Sequence, residues 1–332
     1  MIECIFTIDY EIYGNGKGSL KELVYEPTER LMSIFSERNA NFVVFAEALE
    51  FIKMEEHSSD AGIGRVRQQL RELYEKGFEI GLHLHPWWWN AKRNNGDWEL
   101  AWNERNLCEM PEQRIDEVVR SSVEYLRAAT GQPGFVPVSF RGGLWLIQPT
   151  EKMAKVLAKY GMKVDSSVFK GGRIQDIGVD YRPSMRNGYY WRFGDDVNVV
   201  DTKGALLEVP IHTEMVPFWK MLSGKRLSLH KKVPTANGNG SPLGNRWADY
   251  ARFRYPRKLD FCRMSLDEMC SVVNAILKQD KESPQIYKPM VAIGHSKDLV
   301  DFEAIRQFLK FLAQSGIAIT DFRQVLNRLQ SQ

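Results

Sequence analysis

Two apolar rhythms alternate along this 332-residue chain. Short runs rich in Val, Ile and Phe read as strands at 2–9, 41–46, 78–85, 136–140, in the MKVDSSV run after Gly161, and at 205–211, 289–294 and 317–320. Between them, apolar residues three and four apart predict helices over 27–38, 60–76, 111–129, 150–160, 265–279, 302–314 and 321–329. Ser265 stands where an N-cap belongs. Strand–helix alternation over the whole length predicts a parallel α/β fold, here a (β/α) barrel. No internal repeat and no strong boundary interrupts it, so residues 1–332 are expected to form one domain. The exceptions are two candidate insertions, 87–109 and 217–260; the second contains NGNGSPLGN.

Chemically capable residues gather where the predicted strands stop. Asp9 and Glu11 follow the first, His83 and His85 end the third, Arg141 ends the next, Asp165 follows, and His295 closes a late one. In a parallel barrel all carboxyl ends meet on one face, so these groups are expected to converge. His83 and His85 stand at i and i+2, on one side of a strand, where two imidazoles can share a metal. Asp9 or Glu11 adds a carboxylate, and the other is then free to act as a general base. His295 is placed to protonate a leaving group. Arg141 orients a catalytic carboxylate or binds an anion, and Gly142 and Gly143 let a substrate approach the backbone. Asp165 is placed to pair with His295 or Arg141. Trp87, Trp88 and Trp145 are candidate sugar-stacking faces beside the site.

Composition narrows the setting. The four cysteines form no CxxC pair and read as reduced thiols. The first residues lack the pattern of a secretory signal, and no apolar run approaches the roughly 18 residues of a membrane span, so a cytoplasmic enzyme is expected. Net charge is +3, but ten Lys/Arg and the single acid Asp249 fall between Pro217 and Lys258. Such a patch suits a phosphate, an anionic sugar or peripheral contact with a membrane surface. No nucleic-acid module accompanies it.

Taken in order, these residues resemble the motifs of the polysaccharide deacetylase family, also called the NodB homology domain or carbohydrate esterase family 4. The family's T-F-D-D-G appears as Thr7-Ile8-Asp9-Tyr10-Glu11, and its histidine motif as His83-Leu84-His85 after Gly77 to Gly81. Phe140-Arg141-Gly142-Gly143, Asp165-Ser166 and Ile293-Gly294-His295 match the remaining three. The resemblance implies a distorted barrel of about seven parallel strands and metal-dependent removal of acetyl groups from a carbohydrate, usually with zinc. It implies that Asp9 is the base, His83 a metal ligand, Arg141 the tether of the base and His295 the general acid. Two positions depart from the pattern. Tyr10 replaces the second aspartate, so Glu11 or Asp9 must be the metal carboxylate. Trp87 occupies the usual place of the second histidine, so His85 must take that role.

The expected substrate is a polysaccharide or glycan precursor. Three alternatives stay open. One is a metal-less glycan-binding protein on the same scaffold. The others are a glycoside hydrolase and an amidohydrolase on a similar barrel.

Overall fold

A computed structural model describes residues 1–217, 219–220 and 254–331. Its strands are β1 (Ile2–Tyr10), β2 (Val43–Glu47), β3 (Glu79–Leu84), β4 (Lys92–Asn94), β5 (Asp97–Glu99), β6 (Ser139–Gly142), β7 (Val164–Asp165) and β8 (Arg173–Ile174). They continue with β9 (Val179–Asp180), β10 (Trp191–Phe193), β11 (Leu206–Glu208), β12 (Thr213–Pro217), β13 (Arg254–Lys258), β14 (Lys288–His295) and β15 (Ala318–Ile319). Nine of these form one sheet, in the order β10-β11-β7-β6-β3-β2-β1-β14, with β15 also paired to β1. From β11 through to β14 every neighbour is parallel. Only β10, at the end, is antiparallel. Ile211 then makes parallel bridges to both Phe169 and Val291, which links the β7 side of the sheet to β14 and curls it towards closure.

β1 has the most strand partners. It pairs with β14 from Ile2↔Lys288 to Asp9↔His295, with β2 from Thr7 to Tyr10, and with β15 at Glu3 and Cys4. All nine of its residues are buried. A strand covered on both faces must be nearly continuous in apolar residues, as IECIFTI is. Phe6 fixes the layer outside it, meeting Phe35, Phe261 and Phe308 edge-on at centroid distances of 5.1, 5.3 and 5.8 Å.

The helices lie between the strands. Ser265 caps Leu266–Glu282 through a complete capping box with Glu268. The pattern of apolar residues did not reveal the helix Ala48–Glu56. Its cap is the β2-end residue Glu47, whose side chain accepts from the Leu49 N–H. A glutamate is a poor cap by propensity, so no start signal is visible in the sequence. β7 is shorter than expected because Ser166 and Ser167 turn to side-chain bonding. The Ser166 hydroxyl donates to the Val209 carbonyl at 2.8 Å, and that of Ser167 donates to Asp165 at 2.7 Å.

Residues 87–109 carry the β4–β5 hairpin and also send Trp87, Trp88, Leu107 and Cys108 into the core. The expected insertion at 217–260, with most of its basic residues, lies largely outside the described residues. Its flanks, β12 and β13, pair antiparallel. No helix among the described residues is long and apolar enough to cross a membrane.

Candidate active site

The carboxyl ends of the strands place the chemical groups in one layer. Asp9 stands level with His295, Glu47 with His83, His83 with Arg141, and Phe140 and Glu208 with Asp165. Strand alternation sorts the TIDYE segment: Asp9 and Glu11 face the mouth, while Tyr10 turns to the helices and donates to Gln69 at 2.6 Å. The tyrosine in the motif is therefore core, buried like its neighbours.

Arg141 is wholly buried and organises the centre. It donates to Asp9 at 2.8 Å, to the Thr7 hydroxyl at 2.9 Å and to the Ser166 carbonyl at 2.9 Å, and its guanidinium lies 4.2 Å from the centre of the Phe45 ring. Burial alone pushes the Asp9 carboxyl up. Arg141, with His83 and His295, outweighs it and holds Asp9 below its ordinary range. Asp9 is thus an ionised carboxylate with one oxygen fixed. Its other oxygen is 3.4 Å from His295 Nε2. Burial lowers the pKa of His295, against the pull of Asp9 and Asp298, and favours the neutral ring.

A second group surrounds Glu11. One ligand atom each from Glu11, Glu47, His83 and His85 fall within 4.8 Å of one another, and all four residues are buried. Glu11 Oε2 is 3.0 Å from His85 Nδ1 and 3.5 Å from His83 Nε2. Glu47 is 2.7 Å from His85 Nδ1. Sequence reasoning missed Glu47. It ends a strand as the others do, but FAEALE reads as the start of a helix and carries no partner spacing. Lys297 is a further omission. Its ammonium donates to the second oxygen of Glu11 at 2.6 Å and to the Ile12 carbonyl at 2.9 Å. Against the burial that raises it, Lys297 and His85 hold Glu11 well below the ordinary carboxylate range.

This donor set fits a divalent cation. His83 Nδ1 sits 2.8 Å from the Arg141 carbonyl oxygen, which can only accept, so Nδ1 carries the proton. In the neutral ring Nε2 is then bare and faces a carboxylate oxygen. A tetrahedral ion with ligands at about 2.0–2.1 Å sets its donors roughly 3.4 Å apart, close to the spacings present. Without a cation the second imidazole supplies the positive charge. Burial pulls His85 down, but Glu11 and Glu47 together lift it to about 10.

The remaining expected residues fall elsewhere. Asp165 bonds neither His295 nor Arg141. It accepts from Ser167 and adjoins Glu208; burial raises both carboxyls, and the charge of Asp165 raises Glu208 further, whereas the bond with Glu208 pulls Asp165 down. Trp88 lies in the core, edge-on to Trp98 at 5.1 Å, with no face open to a sugar. Trp87 is also buried, its ring tilted against that of His85 at 4.4 Å, and its indole N–H has no partner among the described residues. Trp145 is half-buried, and the Lys258 ammonium sits 3.2 Å from its ring centre. Gly142 and Gly143 are both required by close approach: a Cβ would come within 1.9 Å of the Leu146 carbonyl oxygen and 2.4 Å of His85, respectively.

No family model matches the chain, and no curated protein does. Solved structures do. A Mycobacterium smegmatis protein assigned by name to the polysaccharide deacetylases aligns at a TM-score of 0.56 and 15% identity, covering 100% of this chain and 91% of that one. Its namesake from Pseudomonas aeruginosa PAO1 aligns at 0.52 and 12%, and PuuE allantoinase at 0.52 and 11%, with the same coverage. The chain therefore has the distorted-barrel fold of the polysaccharide deacetylases, as the resemblance of its motifs implied.

Proposed function

We propose that this protein is a metal-dependent carbohydrate deacetylase. The observation that carries the reading is the bare His83 Nε2 facing Glu11 Oε2 at 3.5 Å, one residue pair away from an arginine-held Asp9. Glu11, His83 and His85 would hold the ion, with Glu47 binding beside them or orienting His85. A divalent cation there supplies Lewis acidity. Zinc suits two imidazoles and a carboxylate.

The protein's own residues perform the proton transfers. Asp9, ionised and fixed by Arg141, accepts the proton of the attacking water. His295, on the next strand with Nε2 3.4 Å from Asp9, takes over that proton and delivers it to the departing amine or alkoxide of the sugar. The substrate class is an N- or O-acetylated sugar of a polysaccharide or glycan precursor.

Elemental mass spectrometry of the purified protein, with a His83→Ala/His85→Ala double mutant, tests the centre. Near one equivalent of divalent metal in the wild type only, with acetate released from acetamido sugars, is the expected result. Allantoin, named by one fold neighbour, is the control acyl compound. A protein that takes up no metal from excess zinc would overturn the reading and leave a glycan-binding protein or a glycosidase in its place.

A further inference from the structure

We infer that Asp298, clamped by Arg263, is the positioning residue for His295. This rests on the reading of His295 as the proton donor. The motif pattern offered Asp165 for that task, but Asp165 is engaged with Ser167 and Glu208.

Two buried polar atoms at this spot lack partners among the described residues: Nδ1 of His295 and Oδ1 of Asp298. Buried orphans are rare, and these two types complete one another, an imidazole N–H and a carboxylate oxygen. The two side chains already approach to 3.7 Å, between Nδ1 and Oδ2. A small rotation of either closes the gap. Asp298 cannot drift, because the Arg263 guanidinium grips Oδ2 at 2.8 Å through Nε and 2.6 Å through Nη2.

The clamp is itself built onto the site strand. Asp260 bridges to Ile293 of β14 and accepts from the N–H groups of Cys262 and Arg263, at 3.0 and 3.1 Å. Gly294 lets this segment lie flat on the strand, since a Cβ there would meet the Phe261 ring at 2.5 Å. His295 is thus flanked by two acids with separate tasks. Asp298 holds Nδ1–H, and Nε2 faces Asp9 and the mouth. Nε2, 3.4 Å from Asp9, first takes over the proton that Asp9 accepts from the attacking water and then gives it to the leaving group, while Nδ1–H stays in place throughout. Asp298 then stabilises the transient imidazolium, in the manner of a carboxylate behind a catalytic histidine.

The test is the tautomer of His295, read by nitrogen-15 NMR of protein labelled at its six histidines. In the wild type the neutral ring should carry its proton on Nδ1. Asp298→Asn, nearly isosteric, should move it to Nε2 and lower kcat by about 10³–10⁴-fold, with KM little changed. Asp165→Asn should leave the tautomer alone. Arg263→Gln, at a more exposed residue, should weaken the Nδ1–H preference and provides the reading if Asp298→Asn does not fold. An unchanged tautomer in the Asp298 and Arg263 variants, or a tautomer reversed by Asp165→Asn, overturns the inference. A tautomer that switches as expected in a protein releasing no acetate upholds the Asp298 contact and counts only against the deacetylase reading.

Discussion

A Cβ added at Gly143 would meet both the His85 ring and the Leu84 carbonyl oxygen, at 2.4 and 2.5 Å. The carbonyl is backbone and cannot yield, so His85 must. Gly143→Ala is therefore expected to abolish stoichiometric metal binding while leaving the far end of the barrel intact, as metal content and thermal unfolding together would show. Glu47 acts on the same histidine from the other side. A partner that orients a ligand contributes roughly 10–100-fold to affinity, so Glu47→Gln should weaken metal binding by that factor in a chelator competition. Arg141 poses a sharper case. Removing one member of a buried pair strands the other, at a cost of about 3–5 kcal/mol. Arg141→Met should show that loss in urea unfolding. It should also raise the pKa of Asp9, which Arg141 holds down, and so shift the acid limb of the pH–rate profile upward. At this scale Asp9, His83, His85, Arg141 and His295 were legible, because each follows an apolar run. Glu47, Lys297 and Asp298 were not. Their roles depend on which strands are neighbours, and no local spacing encodes that.

At the scale of elements, the start of β3 carries a charge problem unrelated to the site. Glu79 is buried beneath the helix Phe322–Gln330. Burial, and then the neighbouring Asp321, push its carboxyl up to about 7, although Ser139 and Arg323 bond to it. The folded protein therefore holds this proton more tightly than the unfolded chain. Stability should fall as pH climbs from about 4.5 to 7, by up to roughly 3 kcal/mol. Glu79→Gln should flatten that slope and stabilise the protein at pH 8, which chemical denaturation at several pH values would reveal. An unchanged slope would mean that Arg323 keeps Glu79 ionised. The elements themselves show what periodicity can detect. The long amphipathic helices and β1 were visible because one stripe or both faces are apolar. The helix Ala48–Glu56 was hidden by its glutamate cap, and the end of β7 by serines that bond through side chains.

At the scale of the whole molecule, the strand–helix alternation predicted a parallel barrel, and the curled sheet with its seven parallel neighbours agrees. The order of strands could not be read off in the same way, since parallel neighbours are joined by long crossover connections and leave no tight-turn signature. That order has a consequence for synthesis. Ile2 pairs with Lys288, so β1 is made long before its partner β14. At about 5–20 residues per second, β1 waits on the order of 15–60 s with the backbone groups of one edge unpaired. A nascent chain stopped before β14 should remain sensitive to protease and prone to aggregate, and one carried past β15 should not. The run from β1 to β11 pairs in chain order, but β1 keeps its other edge open until β14 arrives. For much of its translation the protein depends on whatever shields that open edge, and its yield in a cell should follow chaperone supply more closely than thermodynamic stability.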